Sequence, residues 1–163
     1  MKSNVVNPWR DAKDPAWRGT TGRIFETEVL GECLLRARGW MEFHRAVKAV
    51  RWAQPHDPYR PVGERQRFNQ AVKAEMQALG MQVDALGLFS AVGSPLDRHG
   101  VDGFFSFHGI MVTVDCTINP HKDTTDSCVL VTGADADNGF REAANEIAFW
   151  FKWAEKNGKK GVI

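Results

Sequence analysis

Apolar positions along this chain change period several times, and each change marks a structural element. From Gly22 to Arg38 they recur three and four residues apart, which predicts a helix opened by Thr20-Thr21 and closed by Gly39. The residues before it, 1–21, carry Pro8, Pro15 and Gly19 without periodicity and read as an irregular arm. Helical patterns return from about Met41 to Trp52 and from Gly63 to Leu79, separated by the proline-bearing loop QPHDPYRPVG. Residues 81–93 suit a strand or a broken helix. The stretch VDGFFSFHGIMVTVDCTI, residues 101–118, holds two apolar runs flanking His108-Gly109 and predicts a hairpin. A polar loop, NPHKDTTD, leads to a third strand over Cys128 to Thr132. Asp137 to Asn157 then reads as a helix with Phe140, Ala144, Ile147, Ala148 and Phe151 on one face, and GVI as a short last strand. This order predicts an α/β fold in one domain, residues 1–163: a two-layer or three-layer sandwich around a small mixed sheet, with residues 40–93 as a helical insertion.

A two-residue turn at His108-Gly109 fixes the hairpin register, because glycine accepts positive φ and histidine tolerates it better than most residues. Phe107 then faces Ile110, Phe105 faces Val112, Gly103 faces Val114, and Asp102 faces Asp115. Side chains directly opposite stand roughly 4.5–5.5 Å apart at Cβ, so two carboxylates there need a shared proton, a cationic side chain or a metal ion. SPLD offers Asp97 as an alternative, but strand pairing favours Asp102. On the first helix, Glu26 falls inside the arc formed by Phe25, Val29, Leu30, Cys33, Leu34 and Ala37, whereas Glu28 and Glu32 fall outside it. A carboxylate on an apolar face needs a partner: an arginine, solvent, or the two aspartates of the hairpin. Three converging carboxylates without a Cys/His cluster would select a hard cation, Mg²⁺ or Mn²⁺.

Composition changes this picture only in part. The 163 residues are 43% hydrophobic and 25% charged, as in ordinary globular proteins. No run approaches the roughly 18 apolar residues of a membrane span, so no membrane partner is expected. Three cysteines without CxxC spacing argue against a disulfide framework and suit a reducing cytoplasm. The net charge of +1 conceals an asymmetry: Arg36 to Lys73 holds nine Lys/Arg against three Asp/Glu, and Ala74 to Phe149 holds three against eleven. A basic flank beside an acidic centre can be a surface dipole, or the layout of an enzyme that grips a polyanion. Arg45, Lys48, Arg51, Arg65 and Arg67 lie in that flank, partly interleaved with Trp40, Phe43 and Trp52, and are the candidate nucleic-acid contacts. His99 and His121 lie at the aspartate end of the hairpin, whereas His108 lies at the far end and reads as a turn residue.

A helix bearing a glutamate, a hairpin with GVDGFF on one strand and VTVDCT on the next, a third strand and a closing helix together resemble the αβββαβ core of the PD-(D/E)xK nuclease superfamily, restriction-endonuclease-like enzymes. The resemblance covers residues 22–38 and 101–163. It implies that Asp102 matches the first motif aspartate, Asp115 the acid of the second motif, and Glu26 the acid of the first helix. It implies Mg²⁺ as cofactor, DNA as partner, hydrolysis of phosphodiester bonds, and homodimers as an option for cutting both strands. The motif lysine belongs two residues after Asp115, where this chain has Thr117; Lys122 is the displaced candidate. The alternative is a catalytically degenerate nuclease-fold module that binds nucleic acid or a protein.

Overall fold

The computed structural model describes residues 15–119 and 121–163. The expected irregular arm lies outside the described residues as far as residue 14, and from Pro15 onward the backbone is helical rather than irregular. Helix α1 runs Pro15–Leu30, α2 Phe43–Arg51, α3 Glu64–Ala78, α4 Gly133–Asp137 and α5 Arg141–Lys156. Strands β1 (Gly87–Ser90), β2 (Gly103–Phe107), β3 (Ile110–Thr117), β4 (Val129–Thr132) and β5 (Gly161–Val162) form one mixed sheet. β1, β2 and β3 are an antiparallel meander; β4 and β5 both run parallel to β3, one against its end and the other against its start. No helix among the described residues is long and apolar enough to cross a membrane.

The helix expected over 22–38 stops eight residues early. Gly31, not Gly39, adopts the left-handed conformation (φ 89°), and its N–H closes on the Thr27 carbonyl. Arg65 of α3 lies across this glycine so closely that an added Cβ would stand 2.8 Å from its Cδ. The chain beyond Gly31 is not helical, and Leu34 and Ala37 donate to the carbonyls of Ala53 and Gly93. The helix expected over 137–157 is also interrupted. Phe140 sits at φ 63° and is buried, stacked on Phe68 at 4.5 Å. The Asp135 carboxylate then caps α5 by accepting from the N–H groups of Glu142 and Ala143, both at 2.9 Å.

The sheet is covered on both faces. One face, with Leu88, Phe105, Val112, Val114, Val129 and Val131, packs against α1, α3 and α5. The other, with Phe89, Phe104 and Met111, packs against Ala46, Val47 and Val50 of α2 and against Leu96 and Val101. The alternation of the hairpin residues between these two clusters is the period of a strand. The segment read as a helical insertion contains β1 as well as two helices. Phe68 of α3 meets Phe105 edge-on, so that helix belongs to the main core.

Candidate functional site

The hairpin register is as the turn requires: His108 (φ 47°) and Gly109 (φ 78°) make the reversal, and Gly103 faces Val114. One residue further out, Asp102 comes beside Asp115. Asp102 is fixed on three sides. Its N–H donates to the Val114 carbonyl at 3.0 Å, its carbonyl accepts from Ala91 at 2.8 Å, and its Oδ2 accepts the Cys116 N–H at 2.8 Å. Gly103 permits this approach, since a Cβ there would stand 2.7 Å from the Phe89 carbonyl oxygen. Both carboxyls are buried, 4% and 7% exposed, and they lie close enough for a hydrogen bond between them to raise the pKa of Asp102. Such a bond needs a proton. Burial, then Asp115, then Glu26 push Asp102 far above the usual carboxyl range, so the pair holds a proton between its two carboxyls.

Lys122 stands where the sequence reading sought a lysine. Its Nζ donates to Asp115 Oδ2 at 2.7 Å, and Thr125 Oγ1 donates to the same oxygen at 2.8 Å. The bond to Asp115 raises the lysine's own pKa. Glu26 reaches the same region from α1. Burial first, and Asp97 second, push its pKa to about 7; Arg23 opposes, Asp115 adds to the rise, and Lys122 lowers it. Asp97 was set aside in favour of Asp102 on strand pairing, yet its charge bears on both Glu26 and Asp102, while its Oδ2 accepts the Gly93 N–H at 2.8 Å. Four acids therefore act on one another here against two cations, Lys122 and Arg23. A like-charge pair at 4 Å costs about 4 kcal/mol at an effective dielectric of 20. Uptake of protons or of an added cation is the physical response. Among the described residues, no three or more His, Cys, Asp or Glu side chains are arranged to hold a metal ion by themselves.

The other candidates disperse. His99 Nε2 is bonded to the Met41 carbonyl at 2.7 Å and packs against Trp40 and Phe43, a structural role. His121 is exposed, and His108 pairs with Asp84 at the far turn. Thr117 Oγ1 accepts from Asn119. Of the basic candidates, Arg45 and Lys48 are exposed on α2. Arg51 is engaged with Ser106 and lies over the Phe89 and Phe104 rings. Arg65 packs on Gly31, and Arg67 is bonded to Glu64 and lies over Phe140. Thr125 and Arg23 are not marked by the sequence beyond their nearness to motif residues, and Asp97, the alternative offered by SPLD, acts beside Asp102 rather than in its place. Compared with known proteins, the chain matches no family model, no curated protein and no solved structure.

Proposed function

We propose that this chain is a divalent-metal-dependent nuclease that hydrolyses DNA phosphodiester bonds at the Asp102–Asp115 end of the sheet, after the manner of the PD-(D/E)xK superfamily its sequence resembles. The observation that carries the reading is the buried aspartate pair with Lys122 bonded to one of its members. Asp102 and Asp115 would hold the cation. A pair suffices for Mg²⁺, which keeps several waters and commonly takes only one or two protein carboxylates beside the substrate's phosphate. The buried pair, with Asp102 raised by burial and by its neighbours, holds a proton, which is the chemistry of a site that exchanges a proton for a metal. Bound there, Mg²⁺ or Mn²⁺ supplies Lewis-acid polarisation of a phosphoryl oxygen and lowers the pKa of water.

The side chains divide the remaining work. Lys122, anchored on Asp115, offers its other N–H groups to the attacking water and to charge building on the phosphoryl oxygens. Glu26, with a pKa of about 7, is suited to take the proton that the water sheds. The water oxygen bonds to phosphorus as the bond to the leaving sugar oxygen breaks. Incubation of the purified chain with Mn²⁺ or Mg²⁺ and single-stranded, duplex and branched DNA tests this. Cleavage should require the metal, vanish in Asp102→Ala and Asp115→Ala, and fall by about 10²–10³ in Lys122→Ala. Intact DNA of every form would sink the enzyme reading.

Thr117 in the motif lysine's place favours a second reading, a non-catalytic binding module on the same scaffold. Thermal melting separates the two. An enzyme gains stability with Mg²⁺ or Mn²⁺ and loses that gain in Asp102→Ala and Asp115→Ala; a binding module without a metal site melts alike with and without the ion.

A further inference from the structure

Two arginines converge beside the acid cluster, one of them, Arg23, close enough to Glu26 to lower its pKa. A Cβ at Gly93 would stand 3.0 Å from Arg36 Nη1 and 3.4 Å from Arg23 Nη1, so both guanidinium groups close over one glycine. Neither makes an ion pair among the described residues. They line a cleft of about 400 Å³ together with Thr27, Glu32, Val92 and Gly93, so the two guanidinium groups outnumber the one carboxylate there. Gly93 also donates to Asp97, so the cleft adjoins the acids. Arg36 lines a second hollow of about 400 Å³ as well, with Leu35, Arg38, Trp40, Met41 and Pro95. Trp40 is 72% exposed there; its ring leans on His99 at 4.2 Å, and His99 ends the short 3₁₀ turn that Asp97 begins. Acid, paired cations and open aromatic thus lie in series along one surface.

We propose that the Arg23–Arg36 cleft binds a backbone phosphate of an unpaired nucleic-acid strand, with the open face of Trp40 stacking the neighbouring base. Paired guanidinium groups match a phosphate diester's two free oxygens. A base within a duplex has both faces covered by its neighbours, so only an unpaired one can stack on a tryptophan. This deepens the nuclease reading and rests on it for the strand's path toward Asp102 and Asp115, but the binding itself needs no cleavage.

Fluorescence anisotropy in EDTA, with a labelled single strand of about twelve nucleotides and the same sequence as duplex, tests the site. The wild type should hold the single strand more tightly. Arg23→Ala/Arg36→Ala should weaken it at least tenfold and flatten the slope of log K against log salt by about 1.4, the value for two lost contacts to a single strand. Arg23→Lys/Arg36→Lys should retain most of that slope. Trp40→Ala should weaken single-strand binding roughly 5- to 100-fold and leave duplex binding unchanged. Wild-type affinity and slope in the double alanine variant, or a duplex bound as tightly as the strand, overturns the proposal. A wild type that binds the strand but never cuts DNA with Mn²⁺ removes the nuclease reading alone. One that cuts DNA while both alanine variants bind normally removes this site alone.

Discussion

Glu26 links the acid cluster to stability through one proton. Burial and Asp97 raise its pKa from 4.5 to about 7, so the native state keeps a proton that the unfolded chain releases. The stability that Glu26 contributes must therefore fall as pH rises from about 4.5 to about 7, and level off above that. Asp102, also raised, acts in the same sense. Without divalent metal the protein should melt higher at pH 5 than at pH 8. Glu26→Gln should remove part of that slope, worth about 1–2 kcal/mol once solvent screening of a part-exposed group is allowed for. A melting profile that is flat or rises over this range would contradict the cluster. Asp102, Asp115 and Lys122 were legible in the sequence because turn arithmetic places the first two and motif order points to the third. Asp97 was legible only as a rival to Asp102, and Thr125 and the meeting of Arg23 with Arg36 were not legible at all. Thr125 sits in an irregular segment where no period fixes direction, and only the folded chain brings Arg23 on α1 to Arg36 beyond its end.

Strand pairing and helix ends show the same division between local pattern and tertiary context. The hairpin was readable to the residue because alternation and a His-Gly turn agree. The end of α1 was misplaced because two glycines, Gly31 and Gly39, both suit a helix terminus, and the choice depends on Arg65 crossing from α3. The break before α5 was hidden because Phe140 fits the helical stripe, yet it turns left-handed to reach Phe68. The dipeptide Asn138-Gly139 was the missed signal. Two glycine substitutions test these contexts in opposite directions. Gly22→Ala, inside α1 with its nearest neighbour at 4.0 Å, should stabilise by about 0.5–1 kcal/mol. Gly103→Ala meets the Phe89 carbonyl oxygen at 2.7 Å and should destabilise by about 1–3 kcal/mol while displacing Asp102. Urea melts of both variants check the signs; equal effects would mean that β1 and β2 do not approach as described.

The whole molecule raises the question whether residues 40–93 are an appendage or part of the core that holds the acids in place. Phe68 decides it. From the second turn of α3 it is fully buried, edge-on to Phe105 of β2 at 4.9 Å and stacked on Phe140 before α5 at 4.5 Å. β1, from the same segment, pairs with β2 along its length, and Ala91 just beyond it bonds to the Asp102 carbonyl. An appendage would melt separately and leave the acid cluster standing; an integral layer makes one cooperative unit. Phe68→Ala should therefore cost about 3–5 kcal/mol, a Tm loss of about 6–20 °C for a chain of this size. It should do so in a single transition, with tryptophan fluorescence and far-UV circular dichroism still coinciding. Because α3 and the hairpin would loosen together, the gain in Tm with Mg²⁺ that the proposed function calls for should shrink in this variant. Two separated transitions, with the metal response intact in the more stable one, would show instead that the segment rides on a core that needs none of it.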